Sequence, residues 1–125
     1  MQFDFVDTTD IQNIEKAIKK NTKWVFAETP TNPMLEITDI AAVSELCKKH
    51  NLLFAVDNTF MSPYGQRPLE LGASITMQSS TKSLSGHSDI LGGVLATNDE
   101  ELYENCNLCL KLLVEYQAPL IIGLP

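Results

Sequence analysis

Leu52-Leu53-Phe54-Ala55-Val56-Asp57-Asn58-Thr59 decides the fold. Its apolar half is a continuous run of strand length, and such a run fits a strand buried on both faces, as in a parallel sheet. The run stops abruptly at an acid, an amide and a hydroxyl. In open parallel α/β sheets, ligands bind beyond the carboxyl ends of the strands. Asp57 to Thr59 therefore reads as one part of a binding rim. Taken alone, Asp57 also fits a turn former or a Walker-B-like acid, but no Gly-x-x-x-x-Gly-Lys-Ser/Thr loop accompanies it.

The same pattern recurs on either side. Upstream, Trp24 to Ala27 predicts a short strand ending at Glu28, followed by the rigid loop Thr29-Pro30-Thr31-Asn32-Pro33, where two prolines forbid regular pairing. Downstream, Ile75 to Gln78 predicts a strand ending in Ser79-Ser80-Thr81-Lys82, and Leu91 to Ala96 a further one. Phe3 to Val6 reads as a short apolar-alternating start.

Helices fall between the strands. Asp10 is expected to cap one running to about Lys20, with Ile11, Ile14 and Ile18 on one face. Thr38 or Asp39 caps the next, with Ile40, Val43, Leu46 and Cys47 inward and Asn51 as its stop. Thr97-Asn98-Asp99-Glu100 has the form of a capping box, with a helix expected to about Glu115. This order predicts an α/β fold with a mainly parallel sheet.

Three polar clusters thus sit at three strand ends: Glu28 to Asn32, Asp57 to Thr59, and Ser79 to Lys82. A lysine attacks carbonyls when its pKa is lowered. The hydroxyls around it suit phosphate oxygens, and an acid at a buried strand end can pair with a cationic ring nitrogen. Aldehyde, phosphate and pyridinium together describe pyridoxal phosphate. Each residue also has an ordinary reading. A lysine after a strand is commonly a solvated loop residue, and Ser/Thr clusters are commonly turns and caps. Gly86, Gly92 and Gly93 are by default backbone devices, and His87 fits either a supporting role near Lys82 or a purely structural turn.

The bulk properties narrow the classes. The chain has 125 residues, 44% hydrophobic and 20% charged, which suits one ordinary globular domain. A formal net charge of -7 argues against a nucleic-acid or anionic-membrane partner. Cys47, Cys106 and Cys109 make an odd count, and Met1 opens onto Gln-Phe-Asp-Phe rather than a signal peptide. No apolar run approaches a membrane span. The expected location is the cytoplasm. Cys106 and Cys109 have CxxC spacing but lie inside a predicted helix, with no second Cys/His pair to complete a zinc site.

The clusters are specific jointly. Glu28-Thr-Pro-Thr-Asn32-Pro, Val56-Asp57-Asn58-Thr59-Phe60-Met-Ser-Pro-Tyr, Pro68-Leu-Glu-Leu-Gly72-Ala, and Ser79-Ser-Thr-Lys82-Ser-Leu-Ser-Gly86-His-Ser-Asp89-Ile-Leu-Gly92-Gly93 resemble the Cys/Met-metabolism family of pyridoxal-phosphate enzymes. That family includes cystathionine γ-lyase, γ-synthase and β-lyase. The resemblance runs from about Phe3 to Leu110. It implies the large domain of fold type I, the aspartate-aminotransferase-like fold, with helices on both faces of the sheet. It implies pyridoxal 5'-phosphate as cofactor and a sulfur amino acid as substrate, with elimination or replacement at Cβ or Cγ, and a homotetramer.

The resemblance also implies roles. Lys82 matches the Schiff-base lysine that forms the internal aldimine and later moves protons. Asp57 matches the acid that pairs with the pyridine nitrogen. Ser79 and Thr81 match the hydroxyls that hold the phosphate. Thr59 lies beside Asp57 near the ring, and Asn32 matches the amide near the ring's phenolic oxygen. Two positions depart: the family usually has Ala where Ser80 stands and an aromatic where Ser83 stands.

The family's glycine-rich phosphate loop, stacking Tyr and substrate-carboxylate Arg are not matched here, Arg67 being the sole arginine. Residues 1–110 are accordingly expected to be part of the large domain, and residues 111–125 an atypical tail. Permissible codons in a displaced frame from Val114 spell Gly-Val-Pro-Ser-Pro-Phe-Asp-Tyr-Trp-Leu-Ala, which resembles the family's next segment and predicts a frameshift. The alternative function is a catalytically inactive remnant of such an enzyme.

Overall fold

The structure is a computed structural model that describes residues 2–113. The displaced-frame segment expected from Val114 lies outside the described residues. Strands β1 (Trp24–Glu28), β2 (Leu53–Asp57) and β3 (Ile75–Ser79) are parallel, and β4 (Gly93–Ala96) runs antiparallel to β3, in the order β1-β2-β3-β4. Helix α1 (Ile11–Ala17) precedes β1, α2 (Ile40–Lys49) connects β1 to β2, the short α3 (Ser62–Gly65) lies between β2 and β3, and α4 (Glu100–Leu113) follows β4. The α/β class and the mostly parallel sheet are as the sequence predicts.

The deciding stretch is central. β2 pairs with β1 from Trp24↔Leu53 to Glu28↔Asp57, and with β3 from Ala55↔Ile75 to Asp57↔Met77. Phe54, Ala55 and Val56 are all buried, which is why the run carries no polar residue. Phe54 and Val56 join Ala27, Ile14 and α2's Ile40, Val43, Leu46 and Cys47 in one core. The four α2 residues recur at three- and four-residue spacing, so one helical stripe faces the sheet. Burying a side chain such as Phe54 contributes about 1.5–3 kcal/mol.

The ends of α2 follow their capping residues. Asp39 Oδ1 accepts the Ala42 amide at 2.9 Å. At the other end Asn51 adopts φ 54°, the Leu52 amide donates to Cys47 O at 2.9 Å and the Asn51 amide to Lys48 O at 3.1 Å. That pair of bonds is a Schellman motif.

Several boundaries differ from expectation. α1, capped by Asp10, stops at Ala17, because Ile18 is extended and Thr22 Oγ1 takes the Lys19 amide at 2.9 Å. Phe3 to Val6 forms no strand: Val6 packs against the core while Phe3 and Phe5 stay exposed, and no strand among the described residues pairs with them. The last strand begins at Gly93, not Leu91. Thr97 does not cap α4. Its hydroxyl donates to Ser74 O at 2.7 Å, and Asp99 Oδ1 caps instead by accepting the Leu102 amide at 2.9 Å. Among the described residues, no helix is long and apolar enough to cross a membrane.

Candidate functional site

Strand alternation sorts the rim. Phe54 and Val56 face α2, so Asp57 faces the opposite side of the sheet. Glu28 is its register partner, and Ser79 follows its other partner, Met77, by two residues. Glu28, Asp57 and Ser79 therefore project on one face at the carboxyl edge of three adjacent strands. That face also carries Trp24 and Phe26, both exposed.

Short hydrogen bonds join the rim. Asp57 Oδ1 accepts the Thr59 amide at 2.9 Å, an Asx turn that halts β2. The Asn58 amide donates to Met77 O at 2.8 Å, carrying the β2–β3 pairing one residue further. Thr59 Oγ1 accepts the Ser79 amide at 2.9 Å. Among the described residues, Asp57 Oδ2 and Ser79 Oγ have no protein partner.

Beyond Ser79, residues Ser80–Leu84 form a turn broken by a kink and spanned by the Ser85 amide on Ser80 O at 3.0 Å. Lys82 sits inside it with φ -90° and ψ -122°, outside helical values. Gly92 pins the start of the turn. It accepts the Ser80 amide at 2.9 Å and donates its own amide to Thr81 Oγ1 at 3.0 Å. Lys82 is exposed and forms no ion pair among the described residues. His87 Nδ1 lies 2.7 Å from Ser85 O, which ties it to the turn.

Asn32 is exposed, in a loop folded by the Leu35 amide on Thr31 O at 2.8 Å and the Glu36 amide on Thr31 Oγ1 at 3.0 Å. The Thr29–Pro30 and Asn32–Pro33 peptide bonds are cis. The fold thus links Asp57, Thr59 and Ser79 by direct hydrogen bonds and carries Thr81 and Lys82 on the next turn. Asn32 belongs to the neighbouring strand end and bonds to none of them among the described residues.

Three further residues have bonding roles that show only in three dimensions. Asn58, fully buried, donates from Nδ2 to Gln66 O at 2.8 Å and accepts from Gln66 Nε2 at 2.9 Å. Gln66 Nε2 also reaches Thr29 O at 3.0 Å. Gly92 is the third. No periodicity marks Gln66; within Gly65-Gln66-Arg67-Pro68 it offers only a loop signal.

Other features lie apart from the rim. A groove of about 390 Å³, lined by Gln66, Leu69, Thr76, Gln78, Val94 and Ala96, opens on the sheet's other side and includes neither Asp57 nor Lys82. Cys106 on α4 has its thiol pKa raised by burial and then by Cys109's charge, the opposite of an activated cysteine. No cluster among the described residues could hold a metal ion.

The donor set suits pyridoxal phosphate. It offers an exposed primary amine at Lys82 and, with no partner among the described residues, a carboxylate oxygen at Asp57 and a hydroxyl at Ser79. Thr81 Oγ1 is engaged with Gly92 but keeps lone-pair capacity.

Comparison with known proteins points the same way. The family described as Cys/Met metabolism PLP-dependent enzyme matches residues 1–116. Cystathionine gamma-lyase of Bacillus subtilis is 52% identical over 100 residues, covering 80% of this chain and 26% of the relative. A probable cystathionine gamma-synthase of Herpetosiphon aurantiacus is 47% identical over 104 residues, covering 83% of this chain and 33% of the relative. The crystal structure of cystathionine gamma-lyase from Lactobacillus plantarum complexed with L-serine matches with a TM-score of 0.91 at 45% identity, covering 95% of this chain and 31% of that one. The chain spans a third or less of the length of these relatives.

Proposed function

The chain belongs to the Cys/Met metabolism family of pyridoxal-phosphate-dependent enzymes, and from that premise we propose that it serves sulfur amino-acid metabolism of the cystathionine lyase or synthase type, with Lys82 as the lysine that carries the cofactor. The observation that supports this most is the hydrogen-bonded row Asp57–Thr59–Ser79 at adjacent strand ends, directly before the Lys82 turn.

Pyridoxal phosphate, when bound, supplies an electron sink that stabilises negative charge at the substrate's Cα. The chain's own residues do the rest. Lys82 Nζ would hold the cofactor's aldehyde carbon and would take and return the substrate's Cα proton. The Asp57 carboxylate would hold the ring nitrogen. Ser79 Oγ and Thr81 Oγ1 would hold the phosphate, Asn32 would hold the phenolic oxygen, and Thr59, whose amide donates to Asp57 Oδ1, would steady the acid. A sulfur amino acid such as cystathionine is the substrate, and the leaving or entering group is at Cβ or Cγ. The same reading places the protein in the cytoplasm, where its free cysteines stay reduced, and makes it a homo-oligomer.

The test is to add pyridoxal phosphate to the full chain, reduce with borohydride and map the adduct. An adduct on Lys82, lost in Lys82→Ala, together with keto-acid release from cystathionine, is the expected result. No adduct at Lys82 sinks the cofactor assignment. An adduct without turnover favours a non-catalytic member of the family.

A further inference from the structure

We propose that Gln66 and Asn58 act together as a positioning bracket that aims the Asp57 carboxylate, an inference that rests on the cofactor reading above. Asn58 is fully buried and directly follows Asp57. Both ends of its amide are taken by one residue: Nδ2 donates to Gln66 O at 2.8 Å, and Oδ1 accepts from Gln66 Nε2 at 2.9 Å. The same Gln66 nitrogen donates to Thr29 O at 3.0 Å. Thr29 follows β1, Asn58 follows β2, and Gln66 follows α3. One side-chain amide therefore holds three loops at a common point.

Thr29 and Asp57 also meet directly, since the Thr29 amide lies 3.5 Å from Asp57 O. That long bond gives little restraint by itself. The bracket supplies the missing restraint on the backbone either side of Asp57. Its effect continues outward, because Asp57 Oδ1 holds the Thr59 amide and Thr59 Oγ1 holds the Ser79 amide. Neither bracket residue projects on the cofactor face. Asn58 and Gln66 line the groove on the far side of the sheet. They are positioning residues, acting through Asp57 rather than on a ligand.

Burial sharpens the point. A buried amide group left without partners costs more than the bond it replaces contributes. Removing Gln66's donor strands both Asn58 Oδ1 and Thr29 O, so the loop must shift to find other partners.

The experiment uses the full chain and two readouts. Gln66→Met keeps the side chain's length and removes its donor. In the chain without cofactor, amide hydrogen exchange at Thr59 and Ser79 is expected to rise about tenfold, as two lost hydrogen bonds predict, while the Val43 and Leu46 amides of α2 stay unchanged. Unchanged exchange at Thr59 overturns the bracket whatever the cofactor does. In the loaded protein, cofactor affinity is expected to fall about tenfold, but less than about twofold when Asp57→Asn is already present. An equal fall in both backgrounds means Gln66 does not act through Asp57, and overturns the proposal. Gln66→Ala, which cannot crowd Asn58, replaces the methionine variant if that one fails to fold. Failure of both to fold makes the bracket a stability element and likewise overturns it. Absence of a Lys82 adduct in the unmodified chain sinks the cofactor reading instead, and the exchange result still decides the bracket.

Discussion

The hydroxyl of Thr59 accepts the backbone amide of Ser79 at 2.9 Å, so the loop after β2 and the end of β3 form one hydrogen-bonded unit. The acid and the hydroxyl assigned to opposite ends of the cofactor are thereby held in fixed relation by a residue between them.

Thr59→Val removes that acceptor and keeps the side chain's shape. Stability is expected to drop by about 1–3 kcal/mol, the cost of leaving a partly buried amide unpaired. Thr59→Ser should retain nearly all of it. Urea unfolding followed by circular dichroism measures the difference, and equal losses in both variants would contradict the bond's role.

Lys82→Ala separates chemistry from folding. The side chain is exposed and unpaired among the described residues, so stability should stay within about 0.5 kcal/mol of the parent. Borohydride trapping of pyridoxal phosphate should vanish. Ser79→Ala should also fold normally, because its hydroxyl bonds to no described protein atom, yet bind the cofactor about tenfold more weakly. Equilibrium titration with the cofactor checks both.

Cys47 gives a pH dependence. Burial against the sheet pushes its thiol up to about 11 from an ordinary value of 9.0. The folded state therefore keeps a proton that the unfolded state releases. Its stabilising contribution is full below pH 9 and is lost as pH rises through 11. Urea midpoints should fall between those limits, and less so in Cys47→Ala. Iodoacetamide at pH 8 should label exposed Cys109 well before Cys47.

Asn51 tests the stop of α2. At φ 54° a β-branched residue is strained, so Asn51→Val should cost about 1–2 kcal/mol, and Asn51→Gly should be close to neutral. Thermal unfolding of the pair distinguishes backbone strain from a lost side-chain contact.

Much of this architecture was legible from local chemistry. Asp10, Asp39 and Asn51 marked helix ends because each acts within a few residues of itself. The run before Asp57 announced burial on both faces because no polar residue could be accommodated there. What failed depended on distant partners. Phe3 to Val6 alternates like a strand but finds no pairing edge. Leu91 to Ala96 has strand composition, yet composition carries no direction, and β4 runs antiparallel. Thr97 looked like the cap, but α4 begins at Glu100, so Asp99 takes that place while the Thr97 hydroxyl bridges Ser74 O and the Asp99 amide. Within the site, Asp57, Ser79 and Lys82 were readable as strand-end residues. The Asn58–Gln66 pair was not, since it depends on how the chain returns through α3.

The Schellman turn at Asn51 has a reach beyond its own helix. It fixes where β2 begins, and side chains alternate faces along a strand. A single residue inserted between Asn51 and Leu53 would slide the strand by one place, burying the Asp57 carboxylate among the α2 side chains and offering the Asn58 amide to the cofactor face. The chemical identity of the rim is thus keyed to a helix terminus at the far end of the strand, and the two must change in step if either changes at all.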